Sequence, residues 1–310
     1  CSGGIAIYLA FFLSLIVMLA STTICEPIKN IGSLFICSTL LLGLGIYDDK
    51  LVLKPIVKLM WQIVVVLIAI SLGLRINTLG LFQLGLLTIP INLLWFLVFI
   101  NAINLIDGID GLACGIVCII SLTMFSIALF FNDLPLSILT GCLSGATLAF
   151  LYFNFHQKKI FLGDNGSMLL GFLIASIPVL NVSVQKDITI NMLYMTIVGA
   201  GVPIYDISTT IVRRLKAKRS IFKADNEHIH HRLMATGLSQ HQVIGILYAA
   251  TVILLGAGII GNWLVISGKI CLPKCIREQI IEQAQASTQR DSTGTGICEQ
   301  KLPVPVERVR

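Results

Sequence analysis

The chain has 310 residues, of which 56% are hydrophobic and only 12% are charged, and its mean hydropathy is +0.90. In soluble domains about a quarter of all residues are charged. This composition therefore excludes a water-soluble globular protein. The formal net charge of +6 comes without interleaved basic and aromatic residues, so we attribute it to membrane topology and anionic lipid, and expect no nucleic-acid partner.

Long apolar stretches recur along the whole chain. About 20 mostly apolar residues are needed to span a bilayer as a helix. Nine such segments are predicted: 4–22, 31–47, 55–74, 89–106, 112–131, 135–153, 167–181, 190–212 and 242–266. Because helix bundles satisfy their backbone hydrogen bonds in hydrocarbon, we expect an all-α, polytopic transmembrane bundle. It should occupy residues 1–266, with a polar tail at 267–310.

Basic residues predict the orientation of these spans, because loops rich in Lys and Arg stay on the cytoplasmic side. If residue 1 starts inside, the inner ends and loops hold twelve basic residues and the outer loops hold three. The tail holds the other seven of the 22 and weakly opposes this topology.

Acidic residues collect at the predicted inner ends. The second span ends in GIYDDK at 45–50, where Asp48 and Asp49 are adjacent. A solvated helix stop would explain this pair alone, but several acids at one membrane face need a cation to hold them together. The other acids predicted at this face are Asp107, Asp110, Asp164, Asp225 and Glu227.

Polar residues recur every third position at the end of the fourth span: Asn101, Asn104, Asp107 and Asp110. This spacing keeps them near one face of a helix, where they are unfavourable in hydrocarbon unless they meet a ligand. Before the seventh span, the 154–167 stretch contains Gly163, Asp164 and Ser167. Backbone N–H groups there can meet a phosphate, and Asp164 can hold the accompanying Mg²⁺.

The 213–232 stretch is basic and ends in a histidine cluster, His228, His230 and His231, followed by Arg232. Because the spacing fits no zinc site, contact with a diphosphate is the preferred interpretation. Asp206 is the one acid well inside a span, and we expect it to reach the inner cavity or to pair with a polar group in the bundle.

Four motifs in order resemble the polyprenyl-phosphate N-acetylhexosamine-1-phosphate transferases of glycosyltransferase family 4: GIYDDK at 45–50, NAINLIDGIDGLACG at 101–115, FLGDNGSMLLG at 161–171 and DNEHIHHRL at 225–233. The resemblance runs from about residue 3 to about 266, and Gly3-Gly4 is similar to the end of a Pro-Arg-x-Gly-Gly loop. HIHHR at 228–232 resembles in particular the branch that uses UDP-GlcNAc and undecaprenyl phosphate.

The resemblance implies attack of a lipid phosphate on the β-phosphorus of a UDP-N-acetylhexosamine, with loss of UMP, at the start of a cell-envelope glycan such as lipopolysaccharide O-antigen. It implies that Asp164 binds Mg²⁺, with Mn²⁺ as an alternative, and that Asp48 or Asp49 acts on the lipid phosphate. The implied catalytic acids are Asp48, Asp49, Asp107 and Asp110. The implied substrate contacts are Lys50, Asn101, Asn104, Asn154, Phe161, His228, His230, His231 and Arg232.

The resemblance further implies a bacterial inner-membrane enzyme, with a homodimer suggested by analogy, whose first span lies before residue 1. Direct attack is preferred over a covalent aspartyl intermediate. Another UDP-N-acetylhexosamine, or UDP-MurNAc-pentapeptide, remains an alternative donor. An ion-coupled transporter is the alternative of another class, but it should place its charges near the bilayer midplane.

Overall fold

A computed structural model describes residues 3–22, 30–51, 53–79, 82–157, 160–180, 186–218 and 228–266. The described chain is almost entirely helical, as predicted. Its helices are α1 (Gly3–Ser21), α2 (Ile31–Leu51), α3 (Pro55–Ser71), α4 (Thr88–Ile106), α5 (Leu112–Phe130), α6 (Leu134–Gln157), α7 (Gly163–Ser176), α8 (Lys186–Gly199), α9 (Gly201–Lys216), α10 (Ile229–Ala235) and α11 (Gln240–Ile266). Short 3₁₀ turns lie at Gly85–Leu87, before α4, and at Ile177–Val179, after α7. The strand β1 (Thr78–Leu79) pairs antiparallel with β2 (Phe82–Gln83).

Six helices in the described part of the chain are long and apolar enough to cross a membrane. They are Gly3–Ser21, Ile31–Leu51, Gly85–Ile106, Leu112–Phe130, Leu134–Phe155 and Gln240–Leu264. The segments Thr189–Gly199 and Gly201–Lys216 bend by 58° at the break between them and would make a seventh span if they cross as one. The protein is therefore a multi-pass helical membrane protein, whereas the predicted count of nine spans is not confirmed.

Two of the nine predicted spans form shorter helices. The segment predicted at 55–74 forms the 17-residue α3, and the one at 167–181 forms the 14-residue α7. At 1.5 Å per residue, α7 is about 21 Å long, less than the hydrocarbon thickness. Every residue from Asn165 to Ser176 is buried, and α7 packs against α1, α2 and α4. Protein surrounds α7, so its apolar sequence does not require it to span.

Small residues on α7 let neighbouring helices approach closely, which is a common device in membrane bundles. A Cβ added at Gly171 would lie 2.6 Å from the backbone oxygen of Phe99 on α4. This close crossing sets α7 against α4. The N-terminal end of α7 therefore lies beside the C-terminal end of α4, and this is where the motif acids meet.

The chain divides into two units, Cys1–Ile260 and Gly261–Arg310. Of the second unit, the structure describes only 261–266, the last residues of α11. The predicted tail at 267–310 lies outside the described residues, as do Asp225 and Glu227.

Candidate active site

A lysine joins the acids of two motifs at one end of the bundle. The Lys58 ammonium, on the first turn of α3, forms an ion pair with Asp48 and lies 2.7 Å from Oδ2 of Asp164. Asp48 is only 3% exposed, and its Oδ1 accepts a hydrogen bond of 2.8 Å from the backbone N–H of Leu53. Lys58 is one of the twelve basic residues counted at the inner ends and loops. Nothing in its position along the chain marks it as a partner of Asp164.

The helix α4 contributes an amide to the acid cluster that Asp48 and Asp164 form with Lys58. Asn104 donates through Nδ2 to Oδ1 of Asp164 and to Oγ of Ser167, each at 2.8 Å. Asn101, one turn earlier, donates instead to Oε1 of the buried Gln62 at 2.8 Å. The spacing correctly placed both amides on one side of α4, but only Asn104 reaches the acid cluster directly.

Asn165 ties the first two helices to α7. Its Oδ1 accepts a hydrogen bond from the backbone N–H of Gly4 at 2.9 Å, and its Nδ2 donates to Asp49 at 2.6 Å. A Cβ added at Gly45, on α2, would lie only 2.2 Å from Cα of Asn165. The Gly-Gly pair at the start of α1 and the GIYDDK motif on α2 are thus held against the same turn of α7.

Replacing Gly45 by alanine is expected to lower the activity of this site by on the order of 10-fold to 100-fold, because α2 must move away from the Asn165 backbone and carry Asp48 and Asp49 with it. Overpacking of this kind also destabilises by about 1–3 kcal/mol. Initial rates and thermal unfolding of purified protein measure the two effects.

Gly43→Ala is the matched control, because Gly43 lies on the same helix and its added Cβ would meet nothing within 4 Å. Both changes raise helix propensity equally. If Gly45→Ala behaved like Gly43→Ala, the close approach of α2 and α7 would not matter for the site.

The loop after α4 carries Asp107 and Asp110, and both side chains are partly buried. It ends at Gly111, whose φ of +87° favours glycine. The hydroxyl of Tyr248, on α11, donates to the carbonyl oxygen of Gly111 at 2.6 Å. A Cβ added at Gly115 would lie 1.7 Å from that hydroxyl, so glycine at 115 makes room for it. Tyr248 was missed from sequence because it is 137 residues away from its partner.

The surroundings of Asp107 disfavour the ionised form of its carboxyl group. Burial, and then the charges of Asp164 and Asp110, raise the pKa of Asp107 to about 8. A carboxyl whose folded pKa is raised stays protonated in the folded protein while it ionises in the unfolded chain. Its contribution to stability is therefore lost as pH rises from about 4 to about 8.

In EDTA, the thermal midpoint of the wild-type protein is expected to fall more steeply between pH 5 and pH 8 than that of Asp107→Asn. Asparagine cannot ionise, so the pH dependence that comes from this site is absent in the variant. Parallel pH profiles of the two proteins would contradict the raised pKa.

The histidine segment, residues 228–232, approaches the 107–111 loop from α10. Its first side chain, His228, contacts Asp206 through Nδ1 at 3.0 Å. His230 is 1% exposed, and a Cβ added at Gly108 would lie 2.0 Å from its Nε2. Burial, and then the neighbouring His231 and His228, lower the pKa of His230 to about 4, so this ring is neutral near pH 7. The expected pairing of Asp206 with a polar group is confirmed.

The remaining predicted site residues lie at the same end of the bundle in different settings. His231 is partly buried, whereas Arg232 and Lys50 are exposed. The amide of Asn154 is buried and donates to the carbonyl oxygen of Ile160 at 2.7 Å, so it supports the connection into α7. Phe161, the residue after Ile160, is 54% exposed and lies three positions before Asp164 along the chain.

The acid cluster has the donor chemistry that Mg²⁺ prefers. Among the described residues, no set of three or more His, Cys, Asp or Glu side chains surrounds a common metal position. Magnesium bound with a phosphate substrate needs only one or two carboxylates, since phosphate oxygens and water complete its octahedron. Asp164 and Asp48 provide two carboxylates on either side of Lys58, and Asp107, whose pKa is raised by burial and then by the charges of Asp164 and Asp110, adds a third acid nearby. The residues therefore fit a magnesium ion.

Comparison with known proteins shows which family the chain resembles. Residues 31–182 match the model of glycosyl transferase family 4. The chain is 36% identical over 252 residues to the probable undecaprenyl-phosphate N-acetylglucosaminyl 1-phosphate transferase of Bacillus subtilis, a match covering 79% of this chain and 68% of that protein. It is 30% identical over 241 residues to the decaprenyl-phosphate N-acetylglucosaminephosphotransferase of Mycobacterium tuberculosis, with coverages of 70% and 60%.

A relative named for a different substrate is also similar. The phospho-N-acetylmuramoyl-pentapeptide-transferase of a Synechococcus species is 31% identical over 211 residues, which cover 65% of this chain and 56% of that protein. The chain thus spans between 56% and 68% of the length of these three relatives. Because the match to the Bacillus protein covers more than two thirds of both chains, the chain belongs to glycosyl transferase family 4.

Proposed function

We propose that this protein transfers N-acetylhexosamine 1-phosphate, in first place GlcNAc 1-phosphate, from its UDP-sugar to undecaprenyl phosphate and releases UMP. The observation that carries the proposal is the cluster of Asp48, Lys58 and Asp164, which joins the first and third motifs at one end of the bundle. Phosphoryl transfer needs charge neutralisation and in-line positioning more than covalent chemistry from the protein. A carboxylate and lysine cluster at a helix end supplies these requirements.

In the proposed reaction, an oxygen of the lipid phosphate attacks the β-phosphorus of the UDP-sugar. The bond between that phosphorus and the bridging oxygen breaks, and UMP leaves with the bridging oxygen. Mg²⁺, held by Asp164 with Asp48 nearby, would neutralise the charge on the diphosphate. Lys58 keeps the two acids in place and adds a positive charge beside them.

The structure allows the roles of the two adjacent acids to be divided. Asp48 is 3% exposed and already engaged by Lys58 and the Leu53 backbone. Asp49 is exposed and accepts a hydrogen bond from Asn165. We therefore assign to Asp49 the acceptance of any proton on the lipid phosphate, and to Asp48 the positioning of Lys58. Exposed Phe161 is proposed to stack on the uracil with Asp110 beside it, while the buried Asn154, expected from sequence to contact substrate, supports the segment that leads to Phe161.

The positions of these acids favour an enzyme over a transporter. Asp48, Asp107 and Asp164 lie at the C-terminal end of α2, after α4 and at the start of α7, instead of midway along broken helices. Together with the basic residues of the same loops, they support an active site at the cytoplasmic face of the bacterial inner membrane. The resemblance of HIHHR at 228–232 to the branch that uses UDP-GlcNAc supports GlcNAc over a MurNAc-pentapeptide donor.

The test is transfer of radiolabelled sugar phosphate from UDP-GlcNAc to undecaprenyl phosphate in membranes that contain the protein, with Mg²⁺ or with EDTA. Labelled lipid and UMP that form only with Mg²⁺ are the expected result. Product formed only from UDP-MurNAc-pentapeptide or another UDP-N-acetylhexosamine would correct the sugar. Absence of product with every donor would reject the transferase function.

A further inference from the structure

The histidine segment makes two kinds of contact that its sequence does not distinguish. The carboxylate of Asp206, on α9, is 3% exposed. Its Oδ2 lies 3.0 Å from Nδ1 of His228, and its Oδ1 accepts a hydrogen bond of 2.8 Å from the backbone N–H of Ile229. One buried carboxylate therefore holds both the side chain at 228 and the backbone at 229, from 22 and 23 residues away.

The rings that follow extend this anchor to the carboxylate loop. The rings of His228 and His230 are stacked, with centroids 5.9 Å apart and planes 7° from parallel. His230 in turn contacts His231 at a centroid distance of 4.2 Å. Neither ring nitrogen of the buried His230 has a hydrogen-bond partner among the residues that the structure describes, and Nε2 is packed against Gly108, where a side chain would not fit. The ring stack therefore runs from Asp206 to the loop between Asp107 and Asp110.

We infer that Asp206 is a positioning residue and that His228 is its anchor point, not a substrate ligand. This inference rests on the proposed transferase function and divides the histidine segment into two parts. Asp206, His228 and His230 fix the segment on the 107–111 loop. His231 is partly buried and Arg232 is exposed, and these are the side chains left to meet the diphosphate of the UDP-sugar.

The chemistry of the contact supports this division. An ionised carboxylate only accepts hydrogen bonds, so Nδ1 of His228 carries the proton that faces Asp206. A buried hydrogen bond to a charged group is among the stronger ones, and loss of one partner leaves the other unsatisfied. Without Asp206, the backbone N–H of Ile229 also loses its acceptor.

Two isosteric substitutions separate an anchor from a ligand. The amide nitrogen of asparagine occupies the place of Nδ1 of histidine, whereas that of glutamine occupies the place of Nε2. With His228→Asn, which keeps the donor to Asp206, kcat/KM for the UDP-sugar is expected to stay within about threefold of wild type. With His228→Gln it is expected to fall about tenfold, which corresponds to loss of one hydrogen bond. With Asp206→Ala it is expected to fall by at least about tenfold, because the backbone N–H of Ile229 also loses its acceptor. KM for undecaprenyl phosphate is expected to be unchanged in both variants.

The double variant His228→Gln with Asp206→Ala is expected to be no worse than Asp206→Ala alone, because Asp206→Ala already removes the contact that His228→Gln removes. The opposite pattern, activity retained by glutamine and lost with asparagine, would show that Nε2 of His228 contacts substrate and would overturn the inference. Multiplicative losses in the double variant would also overturn it.

A second measurement needs no activity. Hydrogen exchange of the 228–236 backbone amides in detergent-solubilised protein is expected to speed up at least tenfold in Asp206→Ala and His228→Gln, but not in His228→Asn. Equal exchange in all three variants would overturn the anchor. If the wild-type protein made no labelled lipid while exchange followed the expected pattern, the transferase proposal would fail and the anchor would stand.

Discussion

Replacing Asp164 by asparagine is expected to lower transfer of sugar phosphate by on the order of 1000-fold, the largest effect of any single change in the site. The carboxylate holds Lys58 at 2.7 Å and Asn104 at 2.8 Å, and it is the proposed Mg²⁺ ligand. Asparagine keeps the shape of the side chain but removes the charge that attracts the cation. Electrostatic stabilisation lost from one group in a phosphoryl-transfer site is commonly worth factors of this size.

Metal binding can be measured without turnover. Mg²⁺ is expected to raise the thermal midpoint of the wild-type protein, because a ligand that binds only the folded state stabilises it. The increase should be absent in Asp164→Asn. Asp133→Asn is the matched control, since Asp133 lies in the turn between α5 and α6, where its Oδ1 accepts from the Leu136 backbone. A Mg²⁺ response that survived in Asp164→Asn would remove Asp164 from the metal site.

The site could be predicted from sequence where the type of a residue alone limits where it can lie in a membrane protein. Four stretches of chain were expected to meet at one face because carboxylates and amides are unfavourable in hydrocarbon. The structure brings Asp48, Asp164 and Asn104 into one cluster and places the histidine segment against Gly108. The number of spans could not be fixed in the same way, since every residue of α7 from Asn165 to Ser176 is buried and an apolar sequence surrounded by protein does not show whether a helix crosses the bilayer.

Partners that depend on helix packing could not be found from the sequence. The contacts from Lys58 to Asp164 and from Tyr248 to Gly111 join residues 106 and 137 positions apart. Periodicity identifies the face of one helix, but it does not specify the rotation and crossing of a second helix against it. Asn101 illustrates the limit: it shares a face with Asn104, yet Gln62 of α3 lies within its reach and takes its hydrogen bond.

Lys58→Met is expected to lower transfer activity by between 100-fold and 1000-fold. The variant keeps the length and apolar stem of the side chain but removes the ammonium that separates Asp48 from Asp164. Breaking a buried ion pair by removing one partner is strongly destabilising, and here about 3 kcal/mol is expected because Asp164 is still partly exposed. The loss of stability should be largest in EDTA and smaller with Mg²⁺, since a bound cation can replace the missing charge between the two acids.

Two variants decide whether this charge is the cause. Lys58→Arg keeps a positive charge and is expected to preserve thermal stability better than Lys58→Met, while its wider planar group still impairs transfer. Lys54→Met makes the same chemical change one turn earlier, at an exposed side chain, and is expected to leave activity and stability near those of the wild type. Unchanged transfer in Lys58→Met would separate the lysine from catalysis, and equal stability of Lys58→Met with and without Mg²⁺ would show that no cation enters between Asp48 and Asp164.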